Sequence, residues 1–336
     1  MVQVSILLPV RNAGGTLSAC LESLGRQTLQ VWECVLVDDG SSDQTAEIAG
    51  ELASREPRLR VLRIEHDQHR GLVTALQHGL SECSGALVAR MDADDLMHRQ
   101  RLQLQVDALD QDPGLTAVGC HVRVFPTAAM AAGMQEYERW INQIRTEDDV
   151  RREAFVECPV VHPTLMVRRD RLLELGYREN GRPEDYDLVL RMLSAGQRIG
   201  IVPRRLLLWR HHPNRRQRVH ESYTVERFVA LKAAFLATGF LAGAREFLLW
   251  GYGNTGRMMR QALAKHDRHP AYILELHPGR LGNRIHGAEV VAPDALERLP
   301  KLPLLVSVAG AGLRNQIRDR LCALGWQELR DYVCVA

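Results

Sequence analysis

The stretch Val-Leu-Val-Asp-Asp-Gly-Ser-Ser-Asp at residues 35–43 decides the fold. Three apolar residues followed at once by carboxylates and small polar residues are typical of a buried strand that ends in a polar loop. Two other segments share this pattern: residues 4–10 lead into Asn12, and residues 86–91 lead into Asp92. Helical stretches separate these strands, so the sequence predicts a mainly parallel α/β sheet. Ligands of such sheets bind beyond the carboxyl ends of the strands.

The length of 336 residues exceeds that of one ordinary domain and predicts two compact units. A first α/β domain is expected over residues 1–220, a helical linker over 221–243 and a smaller Rossmann-like α/β domain over 244–336. Residues 125–157 have weak strand signals and are assigned to loops and helices beside the ligand crevice. Strands are predicted at residues 4–10, 33–37, 59–64, 86–91, 199–209, 246–250, 271–275 and 304–308, and helices at 16–27, 44–54, 71–81, 184–195 and 225–241.

Composition excludes several classes of protein. Apolar residues make up 46% and charged residues 25% of the chain, which is typical of a globular protein and not of a disordered one. A net charge of +2 requires neither a nucleic-acid nor a membrane partner. The seven cysteines are scattered and never spaced as C-x-x-C, so we expect reduced thiols and a cytoplasmic protein. The N-terminus lacks the features of a signal peptide and no apolar run reaches ~18 residues, so any membrane association is expected to be peripheral.

Asp92 and Asp94 directly follow the strand predicted at residues 86–91. Two carboxylates in this position can supply oxygen ligands to Mg²⁺ or Mn²⁺. Such a cation stabilises the negative charge that develops on a diphosphate leaving group. The alternative is a solvated turn in which Asp95 caps the next helix.

Asp38 and Asp39 end a second strand of the same sheet, and Arg70 follows a third. An ionised carboxylate can accept a hydrogen bond from the imide N–H of uracil. Taken alone, this pair is also a common turn sequence. Acidic and basic groups at several ends of one parallel sheet favour a nucleotide site.

Glu184 and Asp185 open the helix predicted at residues 184–195. Carboxylates at this position are favoured by the helix dipole, which is one explanation for them. The functional alternative makes Asp185 a general base that removes a proton from an acceptor hydroxyl. One base without a nucleophile implies inversion at the carbon that is attacked.

Four runs in this order resemble glycosyltransferase family 2, which has the GT-A fold: V-S-I-L-L-P-V-R-N, V-L-V-D-D-G-S-S-D, R-M-D-A-D-D and P-E-D-Y-D-L-V-L-R-M. The resemblance covers about the first 215 residues. It implies a UDP-sugar donor and a divalent metal, Mn²⁺ or Mg²⁺. It also implies catalytic Asp185 beside Glu184, metal ligands Asp94, Asp92 and His212, and a donor site formed by Pro9, Val10, Asn12, Asp39, Arg70, Arg90 and Asp92.

Further segments are similar to members of that family that attach galactose to queuosine in tRNA. They are residues 138–143, 181–185, 206–213 and 247–257. This similarity implies a tRNA acceptor, with Trp140 either an acceptor contact or a core aromatic residue. Since several of these segments also occur in enzymes of envelope polysaccharide synthesis, a lipid-linked or envelope saccharide is the alternative acceptor.

The sequence Gly251-x-Gly253-x-x-Gly256 follows a strand and precedes a helix, and Glu275 ends the next strand. These are the ingredients of a dinucleotide site. Close packing of a helix on a strand needs the same glycines, and no hydride acceptor is evident. NAD is therefore not expected, and this domain is assigned to acceptor docking or to a homodimer.

Residues 188–220 contain no Asp or Glu but eight arginines. Such a stretch can bind the phosphates of RNA, and the alternatives are a solvated face or a diphosphate-binding loop. We assign Arg210, Arg215, Arg216 and Arg218, with Trp140, to the acceptor or RNA. A non-catalytic nucleotide-binding scaffold is the remaining hypothesis, but such a protein would have no need of a base at Asp185.

Overall fold

The computed structural model describes residues 2–64, 70–127, 130–211 and 223–336. Its strands are β1 (Val4–Val10), β2 (Trp32–Asp38), β3 (Leu59–Arg63), β4 (Leu87–Arg90), β5 (Leu96–Met97), β6 (Leu115–Phe125), β7 (Met166–Arg168), β8 (Arg198–Arg210), β9 (Glu246–Trp250), β10 (His269–Leu274), β11 (Arg284–Ile285), β12 (Ala288–Val291), β13 (Leu304–Val306) and β14 (Tyr332–Cys334). Its α-helices are α1 (Leu17–Gly25), α2 (Thr45–Arg55), α3 (Leu72–Glu82), α4 (Arg101–Gln111), α5 (Ala132–Ile141), α6 (Glu147–Glu153), α7 (Arg169–Leu175), α8 (Glu184–Ser194), α9 (Val225–Thr238), α10 (Asn254–Ala264) and α11 (Ala311–Ala323).

The first sheet has eight strands in the order β3-β2-β1-β4-β7-β6-β8-β5. Strands β3, β2, β1 and β4 are parallel, as the alternating pattern of the sequence predicts. Strand β8 is also parallel to β6, whereas β7 is antiparallel to both β4 and β6 and β5 is antiparallel to β8. The sheet is therefore mixed, with parallel pairings in the majority, as predicted. The prediction missed α4 and β6 because it assigned no element to residues 96–124, and it missed β7 because it assigned none to residues 158–183.

Strands β1, β2 and β4 of the parallel part of the sheet are buried on both faces. Every residue of β1 and β2 is buried, which is why these strands read as continuous apolar runs. Helix α3 packs closely on one face at Gly79, where an added Cβ would lie 2.5 Å from Leu7 Cδ1 and 2.7 Å from Val37 Cγ2. A glycine at this point lets α3 pack closely against β1 and β2 near their carboxyl ends.

The chain divides into two compact units. The described residues of the first are 2–64, 70–127, 130–150, Pro159–Asn180 and 184–211. The second contains Arg151–Cys158, Gly181–Pro183 and the described residues from 223 onward. Two short segments from within the predicted first domain therefore belong to the second unit.

The second unit has a six-stranded sheet in the order β11-β12-β10-β9-β13-β14, in which only β11 is antiparallel. Helix α9 supplies Val229, Ala233 and Leu236 to its core, beside Phe247 of β9. The structure thus differs from the prediction of a linker at residues 221–243, because the apolar face of α9 is part of this core. Residues 221–222 lie outside the described part of the chain.

The glycine-rich turn of the second unit is tightly packed. A Cβ on Gly256 would lie 2.4 Å from the Gly251 carbonyl oxygen, which accepts a 2.7 Å hydrogen bond from Ser307 Oγ. Glu275, at the position of a ribose-binding carboxylate, pairs with Arg280 at 2.8 Å. Helix–strand packing thus accounts for Gly251 and Gly256.

Ion pairs attach residues 151–158 to the rest of the second unit. Arg318 bridges Glu153 at 2.7 Å and Glu328 at 2.9 Å. The ammonium group of Lys232 donates a 2.6 Å hydrogen bond to the carbonyl oxygen of Val156. Among the described helices, none is long and apolar enough to span a membrane.

Candidate active site

The carboxyl ends of β1 and β2 are joined by side-chain hydrogen bonds. The backbone N–H of Asn12 donates to Ser41 Oγ at 2.9 Å, and Asn12 Oδ1 accepts from the N–H of Ser42 at 2.9 Å. Pro9 and Val10, which end β1, pair in parallel register with Val37 and Asp38. These contacts hold two of the predicted donor-binding segments side by side.

Asp39 joins this edge of the sheet to helix α3. Its two carboxylate oxygens accept 2.9 Å hydrogen bonds from the backbone N–H groups of Arg70 and Gly71. Gly71 has a φ of 91°, a conformation that glycine adopts without strain. Asp39 and Arg70 are therefore adjacent, as the prediction of a common base-binding pocket requires.

The turn after β4 brings together three carboxylates, from Asp92, Asp94 and Asp95. One ligand atom from each lies within 4.8 Å of the other two. We call this cluster the acidic turn. Arg90, which is buried, pairs with Asp92 Oδ1. Burial lowers the pKa of Arg90, but the charge and hydrogen bond of Asp92, together with other groups that include Glu184, outweigh that effect and raise the pKa.

Asp95 is not the N-cap that the sequence suggests. It is completely buried, and its Oδ1 accepts a 2.7 Å hydrogen bond from the backbone N–H of Arg210. The guanidinium Nε of Arg210 donates to the Asp94 carbonyl oxygen at 2.7 Å. Helix α4 begins later, after Gln100. Asp95 and Arg210 thus fix the acidic turn to the end of β8.

The acidic turn fits a divalent metal by its chemistry. Carboxylate oxygens are the ligands that Mg²⁺ and Mn²⁺ prefer, and Asp92 and Asp94 are partly exposed. Asp95 is completely buried, so Asp92 and Asp94 are better placed than Asp95 to bind a metal ion. His212, the third predicted ligand, lies outside the described residues.

Glu184 and Asp185 begin α8 and are both buried, with exposed fractions of 2% and 6%. Their charges act on the buried hydroxyl of Tyr177. Burial raises the pKa of this hydroxyl, Arg90 opposes the shift, and Glu184 and Asp185 add to it. The predicted base and Arg90 thus act on one buried tyrosine.

His162 and Tyr177 were not predicted as site residues. His162 Nε2 lies 3.1 Å from the Tyr177 hydroxyl, and the Tyr177 carbonyl accepts a 2.7 Å hydrogen bond from Gln77. Burial holds the pKa of His162 well below its usual range, and the Arg90 cation adds to this effect. An isolated His and an isolated Tyr carry no spacing signal, so neither could be selected from the sequence.

The neutral His162 makes the stability of the fold depend on pH. The unfolded chain binds this proton near pH 6.5 but the folded chain does not, so stabilisation is present above that pH and is lost below it. Between pH 7.5 and 5.5 we expect His162 to account for a loss of about 1 kcal/mol in the free energy of unfolding. Urea denaturation of wild type and His162→Gln at both pH values measures this. Equal losses in the two proteins would exclude His162 as the source.

Several arginines of the stretch 188–220 make contacts within the chain. Arg191 pairs with Asp187 at 2.7 Å, Arg198 pairs with Asp112 at 2.8 Å, and Arg210 binds the acidic turn. Arg204 and Arg205 are exposed. The predicted RNA contacts Arg215, Arg216 and Arg218 lie outside the described residues.

Trp140 belongs to a small aromatic cluster. The ring of Tyr137 lies 5.6 Å from that of Trp140 and 5.8 Å from that of Trp209, measured between centroids. Trp209 is buried whereas Trp140 is partly exposed. Trp140 is therefore packed on one side, and its role as an acceptor contact stays a prediction.

The model of the family described as glycosyl transferase family 2 matches residues 5–176. The chain belongs to this family. It is 30% identical over 254 residues to the amylovoran biosynthesis glycosyltransferase AmsE of Erwinia amylovora, an alignment that covers 74% of this chain and 92% of the relative. It is 31% identical over 202 residues to the putative glycosyltransferase EpsE of Bacillus subtilis, covering 58% of this chain and 68% of that protein.

Solved structures share the fold of this glycosyltransferase. TarS residues 1–349 of S. aureus in complex with UDP-GlcNAc match with a TM-score of 0.53 and 17% identity, over 79% of this chain and 71% of that one. The mannosyltransferase PcManGT of Pyrobaculum calidifontis, in complex with GDP-Man and Mn²⁺, matches with a TM-score of 0.52 and 21% identity, over 79% and 69%. The α/β architecture predicted from the sequence is therefore confirmed as that of a glycosyltransferase.

Proposed function

We propose that this glycosyltransferase moves a hexose, galactose, from a UDP-sugar to an acceptor hydroxyl with inversion, in a metal-dependent reaction. The observation that carries the proposal is the acidic turn, whose three carboxylates lie within 4.8 Å of one another at the carboxyl end of β4. A solvated turn would not need Asp95 buried beneath it or Arg210 bonded to it.

The donor lies along the ends of the parallel strands. Asp39 and Arg70 bind the uracil, and Asn12 with the ends of β1 and β4 lines the remaining nucleotide. The interlocked loops support this assignment because Asn12, Asp39 and Gly71 share a hydrogen-bonded edge. A preformed edge reduces the loss of conformational entropy when the nucleotide binds.

Asp94, Asp92 and His212 hold the metal in this account. A bound Mn²⁺ or Mg²⁺ supplies positive charge that stabilises the diphosphate leaving group. Arg90 holds Asp92 in place through their ion pair. The chain's own contribution is therefore to present two oxygen ligands on a fixed turn.

Asp185 takes the proton from the acceptor hydroxyl as that oxygen attacks the anomeric carbon. The C–O bond to UDP breaks as the new bond forms on the opposite face, which inverts the configuration. The buried position of Asp185 at the start of α8 supports this role, because a base in a water-poor site is not solvated and stays directed at its substrate. Glu184 lines the same end of the helix.

The acceptor we propose is queuosine in tRNA. This rests on the similarity of residues 138–143, 181–185, 206–213 and 247–257 to enzymes that modify queuosine. Exposed Arg204 and Arg205, at the start of the arginine-rich end of β8, are compatible with RNA phosphates nearby. A cytoplasmic location and a homodimer formed by the second unit remain predictions.

A saccharide of an envelope polysaccharide is the second candidate acceptor. The relative that supports it, AmsE, is named for amylovoran biosynthesis and aligns over 74% of this chain. Both acceptors require the same donor site and base. They differ in whether phosphates flank the reacting hydroxyl.

Incubation with a panel of UDP-sugars and total tRNA distinguishes the two acceptors. We expect one modified nucleoside to gain the mass of a hexose, most efficiently from UDP-galactose and only when a divalent metal is present. Mass spectrometry of the digested tRNA measures this. Unchanged tRNA, together with transfer to lipid-linked saccharides in a parallel reaction, would favour the second acceptor. No UDP release with either acceptor would contradict the proposed transfer itself.

A further inference from the structure

Arg101 is a completely buried arginine beneath the acidic turn. Its Nη2 donates a 3.0 Å hydrogen bond to the carbonyl oxygen of Arg90, which ends β4. Its Nε donates to Gln105 Oε1 at 2.9 Å. Gln105 in turn donates to the carbonyl oxygens of Val118 at 3.1 Å and Thr164 at 2.8 Å. This network fastens the strand that carries the acidic turn to β6 and to the 3-10 turn His162–Thr164.

The partners of Arg101 are neutral groups. Its guanidinium contacts an amide oxygen, a carbonyl oxygen and the sulfur of Met91, and no carboxylate of the described residues forms an ion pair with it. A buried charge without an ion-pair partner lowers the free energy of unfolding, because the charge loses its hydration without a compensating ion pair. Burial lowers the pKa of Arg101, although the nearby negative charge of Asp95 opposes that shift.

The position of Arg101 in its helix adds to this cost. It is the first residue of α4, where the positive end of the helix dipole disfavours a cation. An apolar side chain of similar length would fill the same space without either penalty. Besides the hydrogen bonds to Arg90 and Gln105, an apolar residue could not supply a fixed positive charge close to Asp95.

We propose that Arg101 is a positioning residue that weakens binding of a free divalent cation to the acidic turn, so that the metal binds tightly only together with a nucleoside diphosphate. This rests on the proposed metal site. The fixed charge repels a metal ion that arrives alone, because charges in a protein interior are weakly screened. The two negative phosphates of the donor overcome that repulsion, which couples metal binding to donor binding.

Titration of the purified full chain with Mn²⁺, with and without saturating UDP, tests the coupling. Electron paramagnetic resonance of free Mn²⁺ measures binding without any turnover. In the wild type we expect UDP to tighten Mn²⁺ binding by at least about tenfold. In Arg101→Met, Mn²⁺ binding without UDP should tighten by about tenfold or more, so the effect of UDP shrinks. Arg101→Lys keeps the charge, so its affinity for Mn²⁺ without UDP should stay within about threefold of that of the wild type.

The outcomes separate a charge effect from a packing effect. If Arg101 only supports the fold, neither the Lys nor the Met variant binds free Mn²⁺ more tightly than the wild type, which overturns the inference. Wild type that binds Mn²⁺ equally well without UDP also overturns it, and this measurement needs no folded variant. In both cases the proposed metal site survives. A wild type that binds no Mn²⁺ even with UDP contradicts the metal site, and the inference falls with it.

Discussion

The Asp94→Asn variant is expected to lose at least about 100-fold in metal-supported turnover while keeping its fold. The substitution preserves the shape of the side chain but removes one ligand charge from the acidic turn, and each 1.36 kcal/mol of lost transition-state stabilisation lowers the rate about tenfold. Asp94 is only partly buried, so the neutral amide can be solvated. Turnover measured against Mn²⁺ concentration should show both a lower maximum and a higher metal requirement.

Asp170→Asn is a suitable control for this experiment. Asp170 lies in α7 of the same unit, and its side chain is 75% exposed. Its substitution removes one negative charge without touching the acidic turn and should leave the metal dependence unchanged. Full activity of Asp94→Asn at limiting metal would remove Asp94 from the metal site.

The Asp185→Asn variant should lose turnover by ~10²–10⁴-fold, the usual contribution of a general base. UDP binding should persist within a few fold, because the base acts on the acceptor and not on the nucleotide. Glu179→Gln, an exposed carboxylate shortly before α8, is the matched control and should remain active. Calorimetric titration with UDP and an initial-rate assay measure the two properties separately.

The opposite pattern would reassign Asp185. If the variant folds and loses affinity for UDP, the carboxylate belongs to the donor site and another group must act as base. A change in thermal melting would identify a purely structural effect. Glu184→Gln, at the neighbouring buried position, then shows which of the two carboxylates the acceptor requires.

Strands β1, β2 and β4 were predictable because they are buried on both faces. Continuous apolar runs ending in Asp38 and Asp92 gave both the strands and the polar ends that converge on one edge. Strand β7 and the reversal of direction at β4 were not predictable. The Met166–Arg168 strand is three residues long, and its pairing depends on distant segments that the local sequence does not specify.

The site was predictable where residues are adjacent in sequence and not where the fold brings them together. Asp92 and Asp94 form a recognisable motif, whereas His162 and Tyr177 are separated in sequence and meet only through packing. Arg101 looks like one surface arginine among many until its complete burial is seen. Asp95 was assigned to a helix cap because its partner, the backbone N–H of Arg210, is 115 residues away.

The anomeric configuration of the transferred hexose tests the central claim most directly. The donor UDP-galactose is α-linked, and a single displacement assisted by Asp185 inverts that centre. Proton NMR of the product from a short incubation with metal and acceptor distinguishes the two configurations by the coupling constant of the anomeric proton. We expect a β-linked hexose that forms with the wild type and not with Asp185→Asn. An α-linked product would contradict a single-base displacement at this site.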